Sequence, residues 1–250
     1  MNIPKGKKIY FASDNHLGAP TPEQSFPREK KFVAWLDDIK DDAAAIFLLG
    51  DLFDFWFEYK TVVPKGFTRT LGKLAELSDS GIPIYYFVGN HDLWMHGYFE
   101  NELHIEVFHQ PKEFIFNDKL FFIGHGDGLG PHDKGYKRMK KVFTNPFFKW
   151  CFRWLHPDLG VKLAQHLSVK NKLISGDDDA QFLGEDKEWL VQYSKRKLED
   201  KHRDYFVFGH RHLPMEIKLN EQSTYLNLGD WIQYYTYGVF DGETLQLKTY

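Results

Sequence analysis

Five times along this chain a short apolar run ends abruptly in a small cluster of Asp, Asn, His and Gly. Residues 9–12 lead into Asp14-Asn15-His16, residues 45–49 into Gly50-Asp51, and residues 82–88 into Gly89-Asn90-His91-Asp92. Residues 119–123 run into Gly124-His125, and residues 206–208 into Gly209-His210-Arg211-His212. These runs are β-branched or aromatic and too short for helices, so they read as buried strands. Between the first three, Phe32, Leu36 and Ile39, then Phe67, Leu71, Leu74 and Leu77, recur at helical spacing, and Gly81 supplies a C-terminal stop. A β-α-β-α-β order calls for parallel strands joined by crossover helices. In such sheets ligands collect beyond the carboxyl ends of the strands, so all five polar clusters fall on one rim.

The remaining pattern completes an α/β sandwich with mixed sheets. Residues 113–116 and 119–123 flank Asn117-Asp118, a hairpin signal, while residues 214–219, 224–228 and the arms around Asp241-Gly242 read as an antiparallel meander. From 131 to about 204 the strand pattern stops and helical, aromatic and basic residues take over, which predicts a helical cap inserted in a single domain spanning 1–250. With 250 residues, 42% of them hydrophobic, the chain can bury one large core. A net charge of -3 excludes a protein that coats nucleic acid through bulk charge. The single cysteine, Cys151, precludes an internal disulfide and suits a reducing compartment. The N-terminal apolar run is too short for a signal peptide, and no stretch of eighteen uncharged apolar residues occurs, so the expected location is the cytoplasm.

The rim clusters offer two aspartates (Asp14, Asp51), one asparagine (Asn90) and four histidines (His16, His125, His210, His212). This mixed oxygen and nitrogen set suits Mn, Fe, Zn or Co, with no thiolate. Seven donors are too many for one ion but fit two ions sharing a carboxylate. Two such ions lower the pKa of a water and clamp a phosphoryl oxygen. Each piece alone is weak, because a Gly-Asp is commonly a turn and a lone His is usually structural; their order after successive strands makes them specific.

The ordered set D-x-H, G-D, G-N-H-D, G-H and G-H-x-H resembles the calcineurin-like metallophosphoesterase superfamily. Carried over residue by residue, the resemblance implies that Asp14, His16 and His212 hold one divalent ion, that Asn90, His125 and His210 hold the other, and that Asp51 bridges them. His91 then stands outside the ligand set, placed to stabilise transition-state charge or protonate the leaving oxygen, with Asp92 fixing its tautomer. The plainer reading of Asp92 is a cap on the following turn. Asp54 and Glu58 either line the pocket or belong to a solvated loop. The other histidines match no motif and read as surface or satisfied polar residues.

Residues 131–162 carry eight basic side chains against two acids, a local +6 that leaves the rest of the chain at -9. Interleaved are Tyr136, Phe143, Phe147, Phe148, Trp150, Phe152 and Trp154. Two readings stand about even: an interfacial element that lies on an anionic bilayer or covers an acyl chain, and a cap helix packed on the core with solvated lysines. Stacking on single-stranded nucleic acid is disfavoured by the acidic remainder, and no nucleic acid partner is expected.

His125-Gly126-Asp127-Gly128-Leu129, Asp133, Tyr136 and Asn145-Pro146, with Gly50-Asp51-Leu52-Phe53 and Trp56, are similar to the UDP-2,3-diacylglucosamine pyrophosphohydrolases of lipid A synthesis. That resemblance implies hydrolysis of an acylated sugar nucleotide to UMP and 2,3-diacylglucosamine 1-phosphate with two divalent ions, Mn the usual activator. It also implies a lipid-binding cap after the H-G-D segment. Asp133, Tyr136, Phe147, Phe148 and Trp154 are the expected substrate contacts, and Ser168, Lys170, Asn171 and Lys172 would hold phosphates from the cap. The enzyme would work peripherally at the anionic cytoplasmic face of the inner membrane. The best-known members carry Arg where this chain has His91. The competing enzyme reading is a metallophosphoesterase of a soluble nucleotide or other phosphoester. A metal-stabilised scaffold without turnover is disfavoured, since it has no need of Asn90-His91-Asp92.

Overall fold

The computed structural model describes residues 1–130, 134–163, 182 and 184–250. Two sheets face each other and helices cover their outer sides. The first sheet has the order β11-β10-β1-β2-β3-β4, built from β1 (Lys8–Ala12), β2 (Ala43–Leu48), β3 (Ile84–Phe87), β4 (Glu106–Phe108), β10 (Thr236–Phe240) and β11 (Leu245–Thr249). The second has the order β5-β6-β7-β9-β8, from β5 (Lys112–Phe116), β6 (Lys119–Gly124), β7 (Tyr205–Phe208), β8 (Pro214–Lys218) and β9 (Thr224–Leu228).

Strand alternation explains the layering. Ile9, Phe11, Ala45 and Phe47 point inward and meet Phe116, Phe121, Ile123, Val207 and Leu226 of the opposite sheet. The alternate residues Tyr10, Ala12, Ile46 and Leu48 point outward against Phe32, Trp35 and Leu36 of α1 (Pro22–Ile39) and Leu74 and Leu77 of α2 (Thr68–Asp79). Both faces are covered, which is why the strands read as unbroken apolar runs. Thr21 caps α1 by accepting a hydrogen bond from the Gln24 N–H, and Gly81, at φ 87°, follows the end of α2 where the sequence places a stop. A short helix, α3 (Tyr98–Glu102), precedes β4.

Pairs β1·β2, β2·β3, β6·β7 and β7·β9 are all parallel. The carboxyl ends of β1, β2 and β3 therefore share one edge of the first sheet and those of β6, β7 and β9 one edge of the second. Contacts of His125 with Leu49 O and of the His210 N–H with Asp14 Oδ2 join the two edges into one rim, and every polar cluster singled out in the sequence follows one of these strands.

Two expectations need correction. The C-terminal strands form no single meander: β8 and β9 belong to the second sheet, whereas β10 and β11 extend the first, with β10 antiparallel to β1. Alternation alone cannot say which sheet a strand joins. The stretch standing away from the sandwich also ends before 204. Helices α4 (Lys134–Thr144) and α5 (Pro146–Arg153) form the cap, but α6 (Trp189–Asp200) buries Leu190 and Val191 against Phe122, Phe206 and Phe208, as the outer layer of the second sheet.

Candidate metal centre

The rim is built under backbone strain. Asp14, His16, Asp51, His210 and His212 have φ values of 57°, 44°, 52°, 68° and 53°, a region that residues with a Cβ seldom occupy. They are five of the nine non-glycine residues with positive φ among those described. Cross-bonds between neighbouring loops hold them there. The Asp14 N–H donates to Gly50 O (3.1 Å), the His16 N–H to Asp51 O (2.9 Å), the Gly209 N–H to His125 O (3.0 Å) and the His210 N–H to Asp14 Oδ2 (2.9 Å). Glycine permits the approach: a Cβ on Gly89 would run into the Asp51 carboxylate, and one on Gly209 into that of Asp14.

Every rim donor named in the sequence reading lies in one chain of contacts. Asp14 Oδ1 faces His212 Nε2 at 3.3 Å, and the Nε2 atoms of His16 and His212 face each other at 3.1 Å. Asp51 Oδ2 lies 3.7 Å from His16 Nε2 on one side and 3.4 Å from His125 Nε2 on the other. His125 Nε2 in turn faces Asn90 Oδ1 at 3.2 Å. Asp14, His16 and His212 thus form one cluster and Asp51, His125 and His210 a second, with donor atoms in each mutually within 4.8 Å.

The electrostatics suit cations at both clusters. Among the described residues Asp14 Oδ1 is buried without a hydrogen-bond partner, and of the two facing Nε2 atoms only one can donate to the other. Burial raises the Asp14 carboxyl above its ordinary range, which a neighbouring cation would reverse. Burial opposes charge on His125 too, but Asp51 and Asp14 outweigh it and push the imidazole up to about 10. His210 is pushed down to about 3 by burial and by His125, leaving it neutral and ready to ligate. Asp51, despite burial, is held well below the carboxylate range by His125 and His91. Two carboxylates and four imidazoles converging without enough protons to satisfy one another fit divalent metal.

His91 sits at the edge of the cluster, its backbone N–H bonded to Asp51 Oδ1 at 2.9 Å, and it groups with His16 and Asp51. The expectation that Asp92 fixes its tautomer is overturned. Asp92 is fully buried, accepting from the N–H of Gly89 (2.7 Å) and Leu52 (3.1 Å) and from the Tyr86 hydroxyl, so it clamps the turn of β3 to that of β2. Burial, with the Asp51 charge, pushes its carboxyl up to about 7. The partner of His91 is Asp54, whose backbone oxygen lies 2.9 Å and whose Oδ1 lies 3.5 Å from His91 Nδ1. Asp54 is buried, not part of a solvated loop, and its Oδ1 also lies 3.2 Å from His16 Nδ1. Glu58 is buried as well, accepting from the Trp56 indole and from the N–H of His96 and Tyr98. It is a structural anchor.

One site residue escaped the motif reading. Asp230 Oδ2 lies 3.4 Å from His212 Nδ1, and its Oδ1 accepts from the N–H of Ile232, Gln233 and Tyr234. The signal was present, since Gly229-Asp230 follows strand β9 just as Gly50-Asp51 follows β2.

The cap is tied to the rim. Lys140 of α4 pairs with buried Asp127, Lys137 donates to Gly130 O at 2.6 Å, and the Trp94 indole donates to Phe143 O at 2.7 Å. Phe152 of α5 stacks on Trp94 and packs on Phe57 at ring distances of 5.4 and 4.7 Å. The opposite side of α5 is open: Trp154 is 75% exposed, Phe147 63%, Trp150 56% and Phe148 48%. Asp133, Ser168, Lys170, Asn171 and Lys172 lie outside the described residues, and Tyr136 is placed only as part of α4.

The calcineurin-like phosphoesterase family model matches residues 7–214, which include every donor of both clusters. This chain belongs to that family. The phosphoesterase is 38% identical over 255 residues, 97% of each chain, to a Porphyromonas gingivalis protein named UDP-2,3-diacylglucosamine hydrolase. A Histophilus somni protein of the same name is 25% identical, over 90% of this chain and 92% of its own. Among solved structures, an E. coli phosphoesterase aligns with 97% of this chain and 92% of its own at a TM-score of 0.49 and 16% identity. The chain is thus a hydrolase of the divalent-metal phosphoesterase type, and Asp230 lies beyond the matched segment.

Proposed function

We propose that this phosphoesterase cleaves the diphosphate of UDP-2,3-diacylglucosamine, yielding UMP and 2,3-diacylglucosamine 1-phosphate, with two divalent cations, Mn for preference. The reading is carried by one juxtaposition: two adjoining groups of metal-type donors, and a cap tied to the same rim through Lys140 and Asp127, whose α5 seals inward through Phe152 and leaves a ridge of large rings open. The 38% identical relative carries the same substrate in its name.

Asp14, His16 and His212 would hold one cation, Asn90, His125 and His210 the other, and Asp51 lies between them. Bound there, the cations would supply an activated water and a sink for phosphoryl charge. His91, partly exposed at the edge and anchored by Asp54, is placed to stabilise charge on the transferred phosphoryl group or to protonate the leaving oxygen. Asp92 keeps the Asn90-His91 turn against Asp51.

Phe147, Phe148 and Trp154 are the proposed acyl-chain contacts. At about 0.8 kcal/mol per buried methylene, such rings would dominate affinity for a two-chain lipid. The exposed cations Arg138, Lys141 and Arg153 flank them and suit an anionic membrane surface, on the cytoplasmic face of the inner membrane. Lys140 and Lys137 are engaged with Asp127 and Gly130 and contribute less to that surface.

The test replaces Phe147, Phe148 and Trp154 together with Ser. Because these rings are exposed, the variant is expected to fold, to show a steeply raised KM for the acylated substrate, and to hydrolyse a small soluble phosphodiester as before. Unchanged kinetics on both substrates would remove the lipid reading and leave a soluble phosphoester as substrate.

A further inference from the structure

The two metal positions differ in what lies behind their histidines. In the cluster of Asp14, His16 and His212, both imidazoles turn Nε2 inward and rest Nδ1 against a buried carboxylate. His16 Nδ1 lies 3.2 Å from Asp54 Oδ1, and His212 Nδ1 lies 3.4 Å from Asp230 Oδ2. In the other cluster the His125 ring also turns Nε2 inward, but its Nδ1 faces the backbone oxygen of Leu49 at 2.7 Å. The His210 ring lies edge-on to Trp189 at 5.7 Å, and the buried Asp127 carboxylate, paired with Lys140, acts on it and on His125. At the first position each imidazole thus rests its Nδ1 against its own carboxylate, whereas at the second His125 meets a backbone carbonyl and His210 an indole, with the nearby Asp127 charge already paired with Lys140.

A carboxylate behind an imidazole does two things. It keeps the proton on Nδ1, so that the Nε2 lone pair points to the metal, and it makes the ring a stronger donor. A carbonyl fixes the tautomer equally well but adds no charge. We propose that Asp54 and Asp230 are positioning residues that make the Asp14/His16/His212 position the more tightly held of the two, leaving the Asn90/His125/His210 position exchangeable. This rests on the two-cation reading above.

The geometry supports a role beyond local folding for Asp230. Its two oxygens divide the work: Oδ1 accepts three backbone N–H groups of the following turn, while Oδ2 is left to face His212. Asp230→Asn keeps an oxygen for the turn and replaces only the charge at the imidazole. An amide N–H placed there would also favour a bare Nδ1 and a protonated Nε2, which cannot ligate.

The experiment titrates metal-free protein with Mn²⁺ at fixed pH, reading free Mn²⁺ by its electron paramagnetic resonance signal and the heat of binding by calorimetry. Two classes of site are expected in the natural chain. Asp230→Asn and, separately, Asp54→Asn should weaken the tight class by roughly 10 to 100-fold and leave the weak class within about twofold. Asn90→Ala, which removes a donor from the other position only, should abolish the weak class and spare the tight one. Circular dichroism and melting of each metal-free variant verify the fold. Two indistinguishable classes, loss of the tight class in Asn90→Ala, or weakening confined to the loose class in Asp230→Asn would each overturn the proposal while leaving two cations in place. A natural chain that binds fewer than two Mn²⁺ would overturn the two-cation reading itself.

Discussion

Metal uptake at the position of Asn90, His125 and His210 should be strongly pH-dependent, and the size of the effect follows from one ring. Without metal, both nitrogens of His125 face acceptors: Leu49 O at 2.7 Å from Nδ1, and Asn90 Oδ1 and Asp51 Oδ2 at 3.2 and 3.4 Å from Nε2. Although burial works against it, Asp51 and Asp14 hold the imidazolium and push His125 up to about 10. A ligating imidazole must give up the Nε2 proton, so at pH 7 the metal works against roughly 4 kcal/mol, about three units at 1.36 kcal/mol each. Apparent affinity should rise about tenfold per pH unit from 7 to 9 and fall as pH is lowered. Calorimetric titration with Mn²⁺ at pH 8, in two buffers of different ionisation heat, should give at least one proton released per chain. At that pH Asp92, pushed up to about 7, is already mostly ionised and adds little. The same ring sets a stability signature. A histidine raised in the folded state stabilises fully below its unfolded value near 6.5 and loses that contribution as pH climbs through about 10. The metal-free chain should therefore lose melting temperature over that window. A proton count near zero at pH 8, with affinity flat between 7 and 9, would refute the His125–Asp51 argument.

Three substitutions probe the rest of the centre. His91→Ala should keep the full metal content while turnover falls by roughly 10² to 10⁴, the range for a positioned acid or charge stabiliser; parallel loss of metal in elemental analysis would make His91 a ligand. Asp51→Ala removes the carboxylate that lies 3.7 Å from His16 Nε2 and 3.4 Å from His125 Nε2, so both positions should empty and activity vanish; two full metal equivalents in that variant would contradict the bridging assignment. Gly89→Ala drives a Cβ into the Asp51 carboxylate and should lower metal content more than it lowers the melting temperature, read by elemental analysis beside a thermal melt.

How far the sequence carried depended on whether an interaction was local. Strand ends could be read because each apolar run and the donors following it are contiguous, and parallel order then gathers them at one edge of each sheet. Asp92 shows where adjacency misleads. It neighbours His91 in sequence, yet in a tight turn consecutive side chains diverge, and its carboxylate is drawn to the Gly89 and Leu52 N–H groups and the Tyr86 hydroxyl. Asp54 reaches His91 instead because the loops after β2 and β3 run side by side, the Trp56 N–H donating to His91 O at 3.3 Å. Asp230 is a longer-range case. Its meeting with His212 needs β9 to lie parallel beside β7, and alternation cannot reveal that pairing from a strand's own residues. The cap shows the same limit in another form. Its composition fits a buried helix and an interfacial one equally, because α5 is both: Phe152 closes on Trp94 while Phe147, Trp150 and Trp154, at spacings of three and four, line up on the open side. Composition counts rings, whereas only the crossing of α5 over the Phe55–Phe57 segment divides them. That division is why the aromatic triple variant can separate substrate binding from folding at all.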